Sequence, residues 1–390
     1  MVIGDLRKPQ ILILCDPILP PSNTPRVTSL VHYLQEDGWR VTLESGKLPE
    51  KQSLCAKVAD KLLLLQERRF ARKLMAKYKE GEFDVILCST YYYFPLWTAL
   101  RLSKAWHIPF YADLRDIAEQ WGHMNYFTTP LPRLGGLEKI VGRWYERRNI
   151  RMRNNILRQA AGVSTISPWH RELLQGATKA KVECIYNGFD EREFAPENRK
   201  TDVFRVAFLG RIIQLELRQP QMLFEATGEL LKEGKVNPQT FALDFYCEPE
   251  FAESLHEMAE SYGAAECLHY HGYIPRTALR DVMADSSILV ALGASADYGQ
   301  HGILGTKVFE SIGMEKPFVL VPSDKDSLAT LIKETGIGLA AEDKTQLKTF
   351  LMEQYAKWQA KGYTRQPVNN KEIFSRRYQA QQFEQFMHGQ

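Results

Sequence analysis

The sequence predicts an α/β protein that consists of two doubly wound domains. The chain has 390 residues, which is more than one hydrophobic core normally contains. Short apolar runs alternate with stretches of helical periodicity, which is the pattern of parallel sheets covered by helices on both faces. The alternation stops at the polar residues 191–202 and starts again at Phe204. A linker is therefore expected between two similar halves.

The first half is predicted to form a parallel sheet. Each strand is a short run of apolar residues that is followed by a loop and a stretch of helical periodicity. Pro25 suits the first turn of the first helix, which ends at Gly38, and a long basic helix is predicted at 137–159. The predicted strands are residues 10–15, 40–43, 85–88, 109–112, 162–166 and 182–185.

The second half repeats this order. The predicted strands are residues 204–209, 241–246, 267–271, 288–292 and 317–321, with helical segments between them. The residues 370–387 form an amphipathic helix beyond the last strand and are expected to cross back over the first domain. The predicted division is a first domain at 1–197, a second at 203–366 and a C-terminal helix within 367–390. The two domains are expected to face a central cleft.

The composition excludes several classes of function. The formal net charge of +3 is too small to indicate nucleic-acid binding. The six cysteines are scattered singly without a CxxC pair, which favours a reducing cytoplasm and argues against structural zinc. The apolar run 11–14 is too short for a signal peptide, and the sequence has no membrane-spanning apolar segment. A cytoplasmic location is therefore expected.

The most informative stretch is a glycine-containing loop that follows the apolar strand 288–292. In an open α/β sheet, ligands bind at the carboxyl ends of the strands, where such loops meet the N-terminus of a helix. Gly302 and Gly305 allow the backbone to approach a ligand closely, and Thr306 is expected to cap the helix. This order predicts an anion-binding loop.

Two charged residues follow on the same predicted helix. Lys307 and Glu310 lie one turn apart and are expected on the helix surface. A cation and a carboxylate at this spacing suit a phosphate group and a pair of hydroxyl groups, which indicates a nucleotide sugar. The alternative is an ordinary ion pair on an exposed helix.

Several short motifs occur in a fixed order along the chain. They are Arg26, Arg115 with Asp116, the strand 161–167, Asn187 and Gly188 with Asp190, Phe194 and Pro196, Gly210 with Arg211, the turn 271–275, and Lys307 and Glu310 with Pro317. Each motif alone is unspecific, but their order and spacing together are specific. With these motifs, nearly the whole chain resembles GT-B-fold glycosyltransferases, most closely glycosyltransferase family 4.

The chain departs from the family pattern at three places. The loop after the first strand lacks the paired glycines that many members have. Gly302 stands where members carry the first glutamate of a Glu-x7-Glu motif, so that only the second, Glu310, remains. The phosphate-binding lysine of the family is replaced by Arg218 after a two-residue insertion. The missing first carboxylate leaves the identity of the transferred sugar open.

The resemblance implies roles for the residues of the second domain. Arg211, Arg218 and Lys307 are expected to stabilise the diphosphate that leaves during glycosyl transfer, because fixed cations stabilise growing negative charge. Glu310 is implied to bind the ribose hydroxyl groups. The residues expected to surround the nucleotide sugar are Tyr273, Ile274, Gly302, Gly305, Thr306, Lys307 and Glu310. No Asp-x-Asp pair stands in a convincing loop, so neither a metal ion nor another cofactor is expected.

The first domain is implied to bind the acceptor. Its polar candidates follow the fourth predicted strand and are Asp113, Arg115, Asp116 and His123. A catalytic base or a group that binds the acceptor could be among them. The alternative is a structural role for each.

Two basic stretches in the first domain, 51–79 and 133–158, raise the question of a membrane. On one face of the molecule they could hold the protein peripherally at an anionic membrane, which would favour a lipid-linked acceptor. The alternative is that both are amphipathic helices whose charged faces are only solvated.

The sequence therefore predicts a cytoplasmic, metal-independent glycosyltransferase. The resemblance implies transfer from a nucleoside diphosphate donor, most commonly UDP, to a glycan or lipid-linked glycan, with retention of configuration, in polysaccharide or cell-envelope biosynthesis. Two alternatives stay open, namely a sugar-nucleotide epimerase with the same fold and a catalytically inactive GT-B subunit that binds a partner or a nucleotide.

Overall fold

The computed structural model describes most of the chain. The described residues are 8–17, 25–46, 64–91, 93–122, 137–212, 214–215, 217–293 and 299–388, and for 137–139 the backbone alone. They form two compact units. The first comprises the residues up to Tyr186 together with those from Arg376 onward, and the second comprises Asn187–Ser375.

The first unit is built on one parallel sheet of six strands. The strand order is β2-β1-β3-β4-β5-β6. The strands are β1 (Gln10–Cys15), β2 (Arg40–Ser45), β3 (Val85–Thr90), β4 (Phe110–Leu114), β5 (Gly162–Thr165) and β6 (Lys181–Cys184). The helices are α1 (Pro25–Glu36), α2 (Leu65–Lys77), α3 (Leu96–Trp106), α4 (Leu137–Leu157), α5 (Pro168–Gln175) and, from the C-terminus, α12 (Arg376–His388).

The sheet of the first unit is buried on both faces. Strands β1, β3 and β4 consist of buried residues apart from the first residue of β1. Their side chains alternate between two hydrophobic clusters, one that includes residues of α2, α3 and α4 and another that includes residues of α1 and α12. This two-sided burial explains why the strands are almost uniformly apolar.

The C-terminal helix α12 completes the first unit. The indole of Trp39 donates a hydrogen bond of 2.6 Å to Glu384, and Arg377 pairs with Asp37 at 2.7 Å. A Cβ atom at Gly162 would approach the Phe386 ring to 2.7 Å, so the helix packs where the strand has no side chain. Helices α12 and α1 thereby cover the same face of the sheet.

The second unit contains another parallel sheet of six strands. The strand order is β12-β11-β10-β7-β8-β9. The strands are β7 (Phe204–Leu209), β8 (Phe241–Tyr246), β9 (Leu268–Tyr270), β10 (Ile288–Leu292), β11 (Phe318–Val321) and β12 (Gly338–Ala340). The helices are α6 (Gln221–Lys232), α7 (Ala252–Ser261), α8 (Arg276–Asp285), α9 (Thr306–Met314), α10 (Ser327–Thr335) and α11 (Lys344–Lys361).

The segment 187–197 belongs to the second unit, whereas the predicted boundary assigned it to the first domain. Phe189 and Phe194 are buried against helix α9, where a Cβ atom at Gly313 would approach the Phe189 ring to 2.6 Å. The Phe189 N–H also donates to the Phe374 carbonyl at 3.0 Å. These contacts are between residues distant in sequence, which is why a boundary drawn from local polarity lies too late.

The prediction of two doubly wound parallel sheets is confirmed. Strand β12 and helix α11 were not predicted as separate elements. The predicted helix 370–387 is interrupted: a short helical turn at Lys371–Phe374 precedes α12, because the Phe374 carbonyl accepts from Phe189 instead of continuing a helix. In the described part of the chain, no helix is both long and apolar enough to cross a membrane.

Candidate active site

A cavity of about 170 Å³ lies in the second unit at the carboxyl ends of its central strands. Loops that follow β7, β10 and β11 form its walls together with the start of α9, as expected for a ligand site in an open α/β sheet. The lining residues with polar or charged side chains are Arg211, Arg218, Gln300, His301, Lys307, Asp324 and Asp326.

The two arginines predicted to bind phosphate both line this cavity. Arg218 is half-buried and donates to the Leu292 carbonyl at 2.8 Å, which fixes it at the end of β10. Arg211 is 64% exposed and pairs with Glu248 at 3.2 Å. The second oxygen of Glu248 accepts the Ile212 N–H at 2.8 Å and so holds the loop after β7. Two guanidinium groups from one loop therefore reach the same cavity.

Helix α9 begins at this cavity, but its capping differs from the prediction. Gly305, not Thr306, is the N-cap residue, and it provides no side chain for a capping hydrogen bond. Thr306 is instead the first residue of the helix. Gly305 and Lys307 line the cavity, so the helix N-terminus and one cation lie together where an anion would be stabilised.

Glu310 is not on the helix surface as predicted but is only 2% exposed. One oxygen accepts from Lys307 at 2.8 Å and the other from Arg276 at 2.7 Å. Burial raises the pKa of Glu310, but the charges and hydrogen bonds of Lys307 and Arg276 outweigh it and hold the pKa below its usual value. Arg276 also donates a hydrogen bond to Glu193 at 2.9 Å. The carboxylate thus fixes Lys307 beside the cavity.

Gly302 is buried and has a φ of +69°, which a glycine adopts without strain. Its N–H donates to Oδ2 of Asp326 at 2.7 Å, and the same oxygen lies 3.3 Å from Nδ1 of His301. Asp326 was not predicted as a site residue. A signal for it existed, because it follows β11 at the carboxyl end of the sheet.

Tyr273 and Ile274, predicted to face the nucleotide base, lie on the turn before α8. The Tyr273 hydroxyl hydrogen-bonds Glu248, the partner of Arg211. Burial, the Glu248 charge and this hydrogen bond raise the pKa of Tyr273 to about 12. Ile274 is half-buried.

In the first unit, Asp113 is enclosed rather than open to a ligand. Arg26 donates to both carboxylate oxygens, at 2.8 and 3.0 Å, and the hydroxyls of Ser89 and Ser164 donate at 2.8 and 2.9 Å. Burial raises the pKa of Asp113, but the charge and hydrogen bonds of Arg26 and the two serines hold it below its usual value. Arg26 also donates to the Ile185 carbonyl, so the pair ties α1 to three strands of the sheet and to the end of β6.

Arg115 and Asp116 begin the loop after β4. Arg115 is buried, pairs with Asp16 and lies 3.8 Å above the centre of the Tyr91 ring. Burial raises the pKa of Asp116 to about 6 despite a hydrogen bond of 2.9 Å from Gln120. A carboxyl group with such a pKa can exchange a proton near neutral pH. His123, the fourth candidate, lies outside the described residues.

Comparisons with known proteins agree with these two sheets and with the motif order. A sequence model described as Glycosyltransferase Family 4 matches residues 26–193. Sucrose-phosphate synthase from Thermosynechococcus elongatus is 16% identical, with a TM-score of 0.63 over 98% of this chain and 99% of that chain. The chain has the GT-B fold and resembles glycosyltransferase family 4.

Further GT-B structures match over nearly the full length of both chains. HepE from Anabaena, solved in complex with UDP and glucose, is 14% identical, with a TM-score of 0.64 over 98% of this chain and 100% of that chain. The lipopolysaccharide outer core galactosyltransferase WaaB is 10% identical, with a TM-score of 0.57 over 97% and 99%. No curated protein matches the sequence.

This GT-B chain has a second, larger cavity of about 780 Å³ between α3 and α4 in the first unit. Four arginines line it, with two tryptophans: Arg143, Arg147, Arg148, Arg151, Trp97 and Trp144. Trp144 is 56% and the neighbouring Ile140 58% exposed, which is unusual for large apolar side chains. We name this region the α3–α4 groove. Its four arginines belong to the second basic stretch, 133–158. Residues 51–63 of the first basic stretch lie outside the described chain.

Within the described residues, no three His, Cys, Asp or Glu side chains are grouped so as to hold a metal ion. The structure adds Arg276, Glu193, Glu248 and Asp326 to the predicted site of this GT-B chain. Arg276 directly follows the predicted turn 271–275, so its position in the sequence could have indicated a site residue. The position of Glu193 did not indicate a role in the site.

Proposed function

We propose that the chain is a glycosyltransferase that moves a sugar from a nucleoside diphosphate, UDP being the first to test, to a glycan or lipid-linked glycan acceptor. One observation carries the proposal. Arg211, Arg218 and Lys307 line one cavity at the N-terminus of α9. Such a set of cations at a helix N-terminus is suited to stabilise a diphosphate leaving group.

The chemistry proposed for the cavity is charge stabilisation. When the bond between sugar and diphosphate breaks, negative charge grows on the diphosphate and a fixed cation lowers the barrier. Lys307 is already held at 2.8 Å from Glu310, so less reorganisation is needed when that charge develops. Each oxygen of Glu310 accepts one hydrogen bond from a cation, and Glu310 is 2% exposed and is not among the residues that line the cavity. The ribose contact of Glu310 is therefore proposed from the family resemblance.

The acceptor side is proposed to lie in the first unit. Asp116 is the most suitable of the three described candidates for proton transfer, because burial raises its pKa to about 6. Asp113 serves instead to hold the sheet ends, since all its described partners are internal donors. Retention of configuration is proposed from the family resemblance, and no side-chain nucleophile is assigned.

The neighbours supply independent support for the donor. HepE was solved with UDP and with UDP-glucose, and WaaB is described as a lipopolysaccharide galactosyltransferase. We transfer from them the proposal of a UDP-sugar donor and of a role in polysaccharide or cell-envelope biosynthesis. A cytoplasmic location is proposed from the singly scattered cysteines.

The donor proposal is tested by thermal unfolding with UDP, GDP and ADP in the presence of a chelator. A ligand at 100 times its dissociation constant stabilises a protein by roughly 2.7 kcal/mol, which such a screen resolves. We expect one nucleotide to stabilise the second unit without added metal. Release of that nucleoside diphosphate from its sugar conjugate, with a glycan acceptor present, then separates a transferase from an epimerase and from an inactive binding subunit. Binding without release would favour the inactive subunit, and no binding would contradict the proposal.

We also propose that the α3–α4 groove holds the protein peripherally at an anionic lipid surface. The groove combines exposed Trp144 and Ile140 with four arginines, which is the composition of an interfacial membrane helix. Helix α2, the described part of the other basic stretch, differs from it. Lys73 and Lys77 of α2 lie within 4 Å of Glu44, and the helix exposes no large apolar side chain among its described residues.

Co-sedimentation with vesicles tests this second proposal. Vesicles of phosphatidylcholine with one third phosphatidylserine should bind the protein, and pure phosphatidylcholine vesicles should bind it at least about tenfold less, since each cation near an anionic surface contributes about 1 kcal/mol. The variant Arg147→Gln/Arg151→Gln should lose this binding, and Arg68→Gln/Arg72→Gln on α2 is the matched control. Equal loss in both variants, or indifference to anionic lipid, would contradict the groove as the docking site.

A further inference from the structure

The glycine loop lacks a side-chain carboxylate at position 302, yet a carboxylate lies beside that position. Oδ2 of Asp326 accepts the N–H of Gly302 at 2.7 Å. The acceptor comes from the loop after β11, which is distant in sequence but adjacent in the sheet, because β11 pairs with β10. A negative charge thereby lies beside the residue that aligns with the first glutamate of the Glu-x7-Glu pattern.

The Asp326 carboxylate accepts no backbone N–H group of its own helix, although its Oδ1 accepts from the hydroxyl of Ser327 at 3.2 Å. Asp326 is the N-cap residue of α10, but its side chain makes no capping hydrogen bond. Asp324 makes those bonds instead and accepts from the N–H groups of Leu328 at 3.2 Å and Ala329 at 3.0 Å. An N-cap aspartate normally accepts backbone N–H groups of its own helix. Oδ2 of Asp326 accepts the loop N–H of Gly302 instead, and the side chain remains 21% exposed.

The charges of the cavity are arranged in two groups. Arg211, Arg218 and Lys307 supply positive charge, whereas Asp324 and Asp326 supply negative charge in the loop after β11. A diphosphate is attracted by the first group and repelled by the second. A neutral sugar, in contrast, offers hydroxyl groups that a carboxylate accepts strongly, because hydrogen bonds to an ionised acceptor are stronger than neutral ones.

His301 adds a second polar group at the same place. Its Nδ1 lies 3.3 Å from Oδ2 of Asp326, and both residues line the cavity. An imidazole can donate to or accept from a hydroxyl group, depending on its tautomer. The pair therefore has the mixed donor and acceptor capacity that hydroxyl groups in a fixed orientation require.

We infer that Asp326, assisted by His301, binds hydroxyl groups of the donor sugar and thereby selects the sugar, in place of the carboxylate that the loop lacks at Gly302. The inference rests on the proposed function and specifies its sugar-binding subsite. It assigns the diphosphate to the cations and the sugar to Asp326.

The test compares a nucleotide with its sugar conjugates in the variant Asp326→Asn. The amide oxygen of asparagine still accepts the Gly302 N–H, so the loop keeps its anchor while the charge is lost. The probes are UDP, UDP-glucose, UDP-galactose and UDP-N-acetylglucosamine, or the corresponding conjugates of GDP or ADP. We expect the affinity for the free nucleotide to change less than about threefold. The affinity for the preferred conjugate should fall about 10- to 100-fold, as the loss of a charged hydrogen bond implies.

The control variant is Asp343→Asn, which changes another N-cap aspartate of the same unit. Asp343 caps α11 through the Gln346 N–H at 2.9 Å and does not line the cavity as described. It should leave both affinities unchanged. If Asp326→Asn loses affinity equally for the nucleotide and for its sugar conjugate, the residue only supports the loop. If it loses affinity for neither, the residue has no role in binding. Either result overturns this inference and leaves the proposed function intact. A wild-type protein that binds no nucleotide would contradict the proposed function as well.

Moving the carboxylate back to the loop provides a rescue. Aspartate is among the few residues that tolerate the left-handed conformation of Gly302. The double variant Asp326→Asn/Gly302→Asp should recover part of the lost affinity for the sugar conjugate. A folded double variant that binds the conjugate no better than Asp326→Asn would contradict the equivalence of the two positions.

Discussion

Asp113 in the first unit and Glu310 in the second are both buried carboxylates whose pKa is held below its usual value by paired cations, Arg26 for Asp113 and Lys307 with Arg276 for Glu310, but their surroundings differ. Asp113 is closed in by Arg26 and two serine hydroxyls. The cations of Glu310 are about 30% exposed, and one of them, Lys307, lines the cavity. The same kind of ion pair therefore serves as an internal brace in one unit and as the support of a binding site in the other.

A low pKa alone does not identify a functional carboxylate. Both groups are ionised at neutral pH, so what distinguishes them is the further contacts of their partner cations. Arg26, the cation of Asp113, also donates to the Ile185 and Tyr186 carbonyls of the same unit. Lys307, one of the two cations of Glu310, lines a cavity at a helix N-terminus. Removing the two carboxylates or their partners should therefore affect different properties.

The largest effect is expected for Arg26→Met. It leaves Asp113 buried without its cation, and breaking a buried pair costs about 3 to 5 kcal/mol of folding free energy. Urea unfolding with hydrogen exchange of β4 measures the first unit separately. The exposed Arg40→Met on β2 is the control and should cost less than about 0.5 kcal/mol. A loss below about 1 kcal/mol for Arg26→Met would show that Asp113 is not braced by this pair.

A third buried carboxylate, Glu67 on α2, sharpens the comparison because its described partners are Thr98 and the Trp97 backbone, without a cation. Burial raises its pKa to about 7. The folded protein thus holds a proton that the unfolded chain loses near pH 4.5, so this stabilising contribution is complete below that pH and is lost as the pH rises to 7.

Glu67→Gln should remove this pH dependence. The unfolding free energy of the variant minus that of the wild type should increase by about 2 to 3 kcal/mol from pH 5 to pH 8. The measurement is urea unfolding of both proteins at the two pH values. An identical stability difference at both would show that Glu67 titrates normally.

Glu310→Gln should weaken nucleotide binding without unfolding the protein. Loss of the charge releases Lys307 and Arg276, and a charged hydrogen bond is worth a factor of about 10 to 100 in the dissociation constant. Glu315→Gln is a matched control, since Glu315 also accepts from two cations, Arg365 and Lys371. Calorimetric titration with the stabilising nucleotide should show the loss in Glu310→Gln alone. Equal binding by the two variants would make Glu310 a purely structural residue.

The smallest effect is expected for Arg211→Gln. Arg211 is 64% exposed, so solvent screens its charge, and an exposed pair contributes at most about 1 kcal/mol. Nucleotide affinity should fall by no more than about fivefold, as measured by the same titration. A loss above about 50-fold would mean that Arg211 closes onto the ligand.

The strands and the glycine loop were predictable because they depend on local pattern. Strands β7, β8 and β10 have the predicted bounds, since buried parallel strands are continuous apolar runs. Gly302 and Gly305 could be assigned to a loop at the carboxyl edge of the sheet, because a loop that follows such a strand has a defined position there.

What the sequence did not indicate depends on contacts between distant residues. Glu310 was expected on a surface, but its burial depends on Arg276, thirty-four positions away. Thr306 was expected to cap α9, but the backbone places Gly305 at the N-cap. Asp324, and not the N-cap residue Asp326, accepts the backbone N–H groups at the start of α10, which no propensity scale describes.

The most direct test of the account is calorimetric titration of Lys307→Met with the nucleoside diphosphate that stabilises the wild type, in a chelator. Lys344→Met is the matched control, because Lys344 is equally exposed and pairs with Glu225 and Glu229. The account predicts metal-independent binding by the wild type and the control, and a dissociation constant at least about tenfold higher for Lys307→Met. Unchanged affinity in Lys307→Met, or a wild type that binds none of UDP, GDP and ADP, would contradict it.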